Sequence, residues 1–292
     1  MSRYLLGTLI MVCGVLILSP DSATLRKIDG DPWIVSFWRG VGICSVIWLL
    51  ALLTDPRGWW HQLRHPGWTG VAIVVTFGLS QISFVLAVTY LGAPTVLVLV
   101  STTPLASAIA SWVLFRERTD GPLWCAIGAG VVGASIAGSG VTHEVPWIGW
   151  LGALGVPTLM GIGLSLTRAF EGARIWPLYG LSSGLGALAI GLVIPVFTVP
   201  AGSELWMVFN ACVVVPVSFA LITIAPRYLP APEVGLYLLL ETLIGPIFVW
   251  FLVGESPTTR DLIGGAILLT ALSSLFVYRM MQERGRRMVI DQ

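Results

Sequence analysis

The sequence predicts an all-α integral membrane protein with ten transmembrane helices, arranged as two inverted five-helix repeats around a central cavity. Three observations predict this fold class: an apolar composition, ten long apolar segments and an internal repeat. Apolar residues make up 56% of the 292 residues and charged residues only 11%, with a mean hydropathy of +0.88. Because soluble domains carry about 25% charged residues, part of this chain's solvent must be lipid.

Ten segments are long and apolar enough to cross a bilayer core, which takes about 20 helical residues. The connections between them are short and hold most of the charge. The first segment lacks a signal-peptide cleavage site, so we interpret it as a retained helix. The predicted helices are 4–24, 32–53, 68–90, 93–115, 121–140, 146–168, 174–198, 205–225, 231–253 and 258–279.

Lys and Arg are divided unevenly between the two sets of connections, and this bias sets the orientation of a membrane protein. One set comprises both termini and the connections after helices 2, 4, 6 and 8, and it holds twelve basic residues. The opposite set holds only Arg26, Lys27 and Arg260. We therefore predict an inner-membrane protein with cytoplasmic N- and C-termini.

An internal repeat divides the chain into two halves. A shift of 138 residues aligns 90–117 with 228–255 without a gap, and ten of the 28 aligned pairs are identical. The shift makes the repeat unit five helices, an odd number, so the second copy must enter the membrane in the opposite sense. The predicted domains are 1–141 and 142–279, followed by a cytoplasmic tail at 280–292.

Several short motifs resemble a known family. The repeats close on LFRE at 114–117 and LVGE at 252–255, Trp38-Arg39-Gly40 lies early in helix 2, and Glu241 precedes Gly245-Pro246. This pattern resembles the EamA-type proteins of the drug/metabolite transporter (DMT) superfamily, and within it the bacterial exporters of amino acids, including aromatic amino acids. The resemblance implies that helices 1–4 and 6–9 line a central cavity. Helix 1 departs from the family pattern at LSPDSATLRKIDGDP, so no substrate residue in helix 1 is carried over.

Ionisable groups at bilayer depth are costly, so each needs a functional or a structural reason. Glu241, near the middle of helix 9, could bind a substrate ammonium or a coupling proton, or make a structural hydrogen bond. Arg39 could clamp a substrate carboxylate with its planar guanidinium, or it could extend toward the outer interface or pair with a nearby acid. Asp21, which follows Pro20 in helix 1, is the candidate partner for Arg39.

Polar and aromatic side chains on other helices supply further candidates. Thr103 aligns with Glu241 under the 138-residue shift, which places the two at matching depths, although the hydroxyls around Pro104 could simply bond to the backbone. Tyr237 lies one helical turn before Glu241. The predicted substrate-binding residues are Glu241, Arg39, Asp21, Trp38, Gln81, Tyr90, Thr103 and Tyr237. Weaker candidates are Asn210, Thr167 and Arg168.

Other charged residues and the cysteines receive structural interpretations. Glu117 and Glu255 are expected to cap helices or to pair with Arg116, Arg118 or Arg260, and Arg26 is expected in a solvated loop. All four cysteines lie in apolar segments without metal-ligand spacing. We therefore expect buried thiols, and neither a metal nor another cofactor.

The predicted function is secondary active export of amino acids or related small metabolites by alternating access. The sequence has no P-loop for ATP, and the proton is the candidate coupling ion. Nucleotide-sugar, organic-phosphate or drug transport is the alternative within the superfamily. A membrane-embedded enzyme is disfavoured because all three histidines lie in connections and no catalytic constellation occurs. The expected partners are a small-molecule substrate and membrane lipid, without nucleic acid, and a monomer is expected.

Overall fold

All the regular elements that the structure, a computed structural model, describes are helices. It describes residues 3–54, 67–116, 121–141, 144–169, 175–195, 198, 202–224, 228 and 231–290. Eight helical segments in this part of the chain are long and apolar enough to cross a membrane. The predicted all-α integral membrane class is therefore confirmed. The helices are α1 (Arg3–Leu18), α2 (Asp21–Arg26), α3 (Pro32–Thr54), α4 (Gly67–Leu91), α5 (Ala93–Val100), α6 (Thr103–Phe115), α7 (Gly121–Gly138), α8 (Trp147–Ala169), α9 (Ile175–Val193), α10 (Glu204–Phe209), a π-helical turn (Asn210–Val214), α11 (Val215–Ile224), α12 (Ala231–Val253) and α13 (Thr259–Ile290).

The first predicted helix is interrupted at Ser19-Pro20. Proline has no backbone N–H and cannot continue the helical ladder, so α1 ends at Leu18 and α2 begins at Asp21. The Ser19 hydroxyl donates to the Val15 carbonyl at 2.8 Å, which satisfies a backbone acceptor near the break. The break places Asp21 at the first turn of a new helix, where its carboxylate is buried.

Two further predicted helices are interrupted. Ser101-Thr102 separates α5 from α6 just before Pro104, and the eighth predicted helix contains the π-helical turn Asn210–Val214 between α10 and α11. A π-helical turn widens the helix locally, and such turns are frequent at functional sites.

The ends of two predicted helices differ from the structure. Helix α9 ends at Val193 rather than 198, because the residue before Pro195 is disfavoured in helical geometry. Helix α13 continues to Ile290 rather than stopping at 279, so most of the predicted tail extends the last helix. This continuation contains the charged sequence QERGRR at 282–287, so the apolar pattern of the chain does not predict it as part of the helix.

Helices pair mainly between the two halves of the chain. The pairs include α3 with α9, α4 with α8, α1 with α11, and α7 with α13. The last pair crosses at two glycines, since a Cβ on Gly133 would lie 2.7 Å from the Gly264 carbonyl oxygen. Small residues allow such close backbone approach between membrane helices.

The cysteines differ from the expectation of buried thiols. Cys13 and Cys125 are exposed, while Cys44 and Cys212 are partly buried. The difference has a simple cause, because the outside of a membrane bundle faces apolar lipid and a small apolar side chain is compatible with it. Burial in the protein cannot be read from hydrophobicity alone in such a chain.

Candidate functional site

A cavity of about 80 Å³ lies between the two halves of the helical bundle, and we call it the central cavity. Of the residues that the structure describes, three with carboxylate or guanidinium groups line it: Asp21 from α2, Arg39 from α3 and Glu241 from α12. The other lining residues are Leu18, Phe77, Ser80, Gln81, Phe84, Val100, Val156, Met160, Tyr179 and Phe219.

Asp21 and Arg39 form a buried ion pair at one side of the central cavity. The Arg39 Nη2 donates to both carboxylate oxygens of Asp21, at 3.0 Å to Oδ1 and 2.7 Å to Oδ2. Only 4% of Arg39 and 7% of Asp21 are exposed. At such burial a charge is tolerated when it is paired and its remaining hydrogen-bonding groups are satisfied, as is largely the case here.

Asn210, at the start of the π-helical turn, completes this ion pair from the second half of the chain. Its Oδ1 accepts from the Arg39 Nε at 3.0 Å, and its Nδ2 donates to Asp21 Oδ1 at 2.7 Å. The same Nδ2 lies within hydrogen-bond distance of the Asp21 carbonyl oxygen and of the Thr24 hydroxyl. Fully buried Asn210 thus ties the interrupted first helix to α3 across the interface between the halves.

Aromatic rings form much of the remaining wall. The Arg39 guanidinium carbon lies 5.5 Å from the centre of the Phe84 ring, within the range of a cation–π contact. The Tyr179 and Phe219 rings stack at 4.1 Å, and Phe77 meets Tyr179 edge-on at 5.8 Å. These rings give the cavity a largely apolar, polarisable lining.

Gln81 is held by serines of α9. Its Nε2 donates to the Ser182 hydroxyl at 3.2 Å, and the Ser183 hydroxyl donates to its Oε1 at 2.9 Å. The nitrogen and the oxygen of its side-chain amide are therefore both hydrogen-bonded, which orients the side chain between α4 and α9.

Glu241 is the third charged group of the central cavity, and its surroundings differ from those of Asp21. Its side chain is partly buried in the middle of α12. Within the described part of the chain, no hydrogen bond or ion pair engages its carboxylate. The carboxylate therefore keeps its capacity to accept hydrogen bonds from a ligand.

A second group of charged residues closes one end of the bundle, and we call this end the Arg26–Glu255 end. The Arg26 Nε donates to Glu255 Oε1 at 2.6 Å, and its Nη1 donates to the Thr89 carbonyl at 3.2 Å. The other Glu255 oxygen accepts from the Ala93 N–H at 3.4 Å, beside Gly92 in a left-handed conformation with φ of +88°. Helices α2, α4 and α5 thus meet the end of α12 at one point.

Neighbouring contacts reinforce the same end. The Thr95 hydroxyl donates to Asp261 Oδ1 at 2.8 Å, and the other oxygen of Asp261 accepts from the backbone and the hydroxyl of Thr258. Arg260 donates to the Ser139 carbonyl. Glu255 therefore pairs with Arg26 rather than with Arg260, and Arg26 is not in an ordinary solvated loop as predicted; Glu117 lies outside the described residues.

Comparison with known proteins finds a family match for the first part of this helical bundle. Residues 5–139 match the EamA-like transporter family. Together with the apolar helices, this match is consistent with a multi-pass membrane transporter of the DMT superfamily.

Solved structures extend the likeness of this chain beyond the residues that match the family. Fourteen chains of solved structures match it. One crystal structure is 17% identical, with a TM-score of 0.65, and the alignment covers 94% of this chain and 98% of that chain. At that identity the likeness shows the fold alone, over nearly the whole length. No curated protein matches.

Four of the predicted site residues line the central cavity: Asp21, Arg39, Gln81 and Glu241. The predicted partnership of Asp21 with Arg39 is present. Of the weaker candidates, Asn210 joins this pair, whereas Thr167 bonds to the backbone of its own helix, and the side chain of Arg168 lies outside the described residues.

The other four predicted site residues lie elsewhere in the structure. Thr103 donates to the Val100 carbonyl at 2.5 Å, because the break before Pro104 leaves backbone acceptors to satisfy. Tyr237 lies 3.5 Å from the Thr8 hydroxyl, beside α1. Trp38 and Tyr90 pack against the apolar core near the Arg26–Glu255 end.

Sequence reasoning missed Phe77, Met160, Tyr179 and Phe219 as lining residues of the central cavity. Each lies in a continuously apolar segment, where nothing in the pattern distinguishes an inward from a lipid-facing position. Only the pairing of helices, which brings α4, α8, α9 and α11 together, turns these side chains toward one cavity.

A larger cavity of about 600 Å³ lies between α6, α7 and α8. Among its described lining residues there is no Asp, Glu, Lys, Arg or His, and most of them are apolar. Because an orienting charged or strongly polar group is what fixes a small ligand, we do not assign substrate recognition to this cavity.

Proposed function

We propose that this protein is a secondary active transporter that exports amino acids or related small metabolites across the inner membrane by alternating access. The single observation that carries the proposal is the central cavity, where charged and polar groups from both halves of the chain meet. Asp21 and Arg39 come from the first half, and Asn210 and Glu241 from the second. A site shared between two halves is open to either side when the halves move against each other.

Helix pairing supports the proposal that the two halves are copies related by symmetry. Under the 138-residue shift, α4 corresponds to α10–α11, and α8 corresponds to α1–α2. The shift therefore maps the pair of α4 with α8 onto the pair of α11 with α1. Both pairs are present in the structure. The shift exchanges α3 with α9 and α7 with α13, so each of these two pairs is mapped onto itself. Exchanging the two halves therefore reproduces the main contacts of the bundle.

The distribution of basic residues supports an orientation in which the Arg26–Glu255 end faces outward. The connections at that end hold three basic residues, against twelve at the opposite end. The N- and C-termini are then cytoplasmic. With Arg26 bound to Glu255, the contacts correspond to a form that is closed toward the outside.

The charges of the central cavity favour an amine-bearing substrate over a phosphate. A nucleotide sugar or an organic phosphate needs a surplus of Arg or Lys, whereas the single Arg39 is already paired with Asp21. Glu241 is the residue we propose for recognition of the substrate ammonium. The proton remains the proposed coupling ion, because the chain has no P-loop.

Replacement of Glu241 tests this function. In proteoliposomes, we expect Glu241→Gln to reduce efflux of labelled amino acids and amines by about tenfold or more, since a lost charged hydrogen bond contributes about 1.5–3 kcal/mol. Glu204→Gln is the matched control, because Glu204 is exposed at the start of α10. Both variants should remain monodisperse in detergent; full efflux by the Glu241 variant would remove this residue from recognition.

A further inference from the structure

The charged groups around the central cavity do not balance. Among the described residues, one guanidinium and two carboxylates line it, so with Glu241 ionised these groups carry a net charge of −1. An uncompensated buried charge is costly, and a bound ligand of charge +1 removes that cost. A zwitterion adds no net charge and leaves the imbalance in place.

The Asp21–Arg39 pair offers a substrate carboxylate only the Nη1 group of the guanidinium. Two hydrogen bonds from Nη2 go to Asp21, and Nε donates to Asn210. A carboxylate that took the full guanidinium fork would have to displace Asp21, leaving that buried acid without its counter-ion. Breaking a buried pair in this way is strongly unfavourable, because it leaves an uncompensated charge away from water.

The aromatic wall suits a cation. The stacked rings of Tyr179 and Phe219 and the edge-on ring of Phe77 line the same cavity as Glu241. Ring faces attract ammonium groups, most strongly where water is excluded, and aromatic side chains also bind an apolar body.

From this charge balance we propose that the substrate is an organic monocation, an amine with an apolar body and without a carboxylate, whose ammonium binds Glu241. The proposal rests on the transport function proposed above. Of the substrates named there, it selects amines among the related small metabolites and leaves out amino acids. The Asp21–Arg39–Asn210 network then holds the cavity together and stays intact during binding. A zwitterion bound to protonated Glu241 is the competing arrangement, and it is an outcome of the test.

The test uses matched probes that share a side chain and differ only in charge. Each set contains an amine, the amino acid with the same side chain and the corresponding acid. The sets are ethylamine, alanine and propionate; isoamylamine, leucine and isocaproate; and phenethylamine, phenylalanine and 3-phenylpropionate. Three sizes are needed because the central cavity measures only about 80 Å³. Binding to the purified protein is measured by competition between the probes. Transport is measured by counterflow in proteoliposomes.

We expect at least one amine to bind about tenfold or more tightly than its amino acid, with no binding by the acid. Glu241→Gln should abolish this preference, and Glu204→Gln should keep it. An amino acid that binds as well as or better than its amine overturns the proposal, as does the absence of binding by all nine probes. If an amine binds with this preference but no counterflow occurs, the monocation site stands and the transport function fails.

Discussion

Asp21, Arg39 and Asn210 form the polar centre of the molecule, and each depends on the other two. The guanidinium uses Asp21 and Asn210 as acceptors, and Asn210 also donates to Asp21. Because all three side chains are almost fully buried, the loss of one member leaves the others without compensation from water. We therefore expect replacement of one charged residue to destabilise the cluster, and replacement of both charged residues together to be tolerated.

A double-mutant cycle tests this dependence. Asp21→Asn and Arg39→Gln should each lower the free energy of unfolding by about 3–5 kcal/mol, because each leaves one buried charge unpaired. The double variant buries no charge at this position. Its free energy of unfolding should fall by far less than the sum of the two single losses. Thermal unfolding in detergent measures all three; additive losses would show that the ion pair is not coupled.

At the residue scale, charge made the site partly predictable. Asp21, Arg39 and Glu241 stood out because ionisable groups are rare in apolar segments. Thr103 was expected from its alignment with Glu241, yet its hydroxyl satisfies the backbone beside Pro104. Tyr179 and Phe219 carry no comparable signal, since an aromatic residue in an apolar helix suits both lipid and protein surroundings.

At the scale of elements, interrupted helices position the site. The break at Pro20 places Asp21 at a helix start, and the π-helical turn places Asn210 opposite it. Prolines made the first break predictable from sequence. The π-helical turn has no proline or glycine within NACVV, so its position could not be derived from the residue pattern.

The Arg26–Glu255 contact predicts how the outer end opens. Glu255→Gln removes the charge that joins the end of α12 to α2 and weakens acceptance from Ala93. A partly exposed ion pair contributes up to about 1 kcal/mol, so we expect a roughly fivefold faster opening toward the outside. The measurement is labelling of Met160→Cys, in the central cavity, by an impermeant thiol reagent in a cysteine-free background.

Two controls accompany this measurement. Glu204→Gln should leave the labelling rate of Met160→Cys unchanged, because Glu204 is exposed and its carboxylate makes no hydrogen bond or ion pair with the described residues. Combining Arg26→Glu with Glu255→Arg should restore slow labelling by re-forming the pair with reversed charges. A Glu255→Gln protein that labels at the original rate would show that this contact does not hold the outer end closed.

At the scale of the whole molecule, the proposed alternating access depends on symmetry between the halves. Sequence predicted ten segments and the five-helix unit, because hydropathy and an exact 138-residue shift are both properties of the pattern. The pairing of helices could not be read directly, since lipid-facing and protein-facing surfaces are equally apolar. The observed pairs are those that an exchange of halves preserves, which supports a two-fold relation between the halves as the origin of the shared cavity.

Labelling of corresponding helix ends from each side of the membrane tests whether the two halves are inverted. Arg116→Cys lies at the end of α6 and Ser256→Cys follows α12, at nearly corresponding positions of the two halves. In intact cells expressing cysteine-free backgrounds, an impermeant thiol reagent should label Ser256→Cys from outside and Arg116→Cys only after permeabilisation. Labelling of both positions from the same side would mean that the halves run parallel, and would contradict the inverted arrangement.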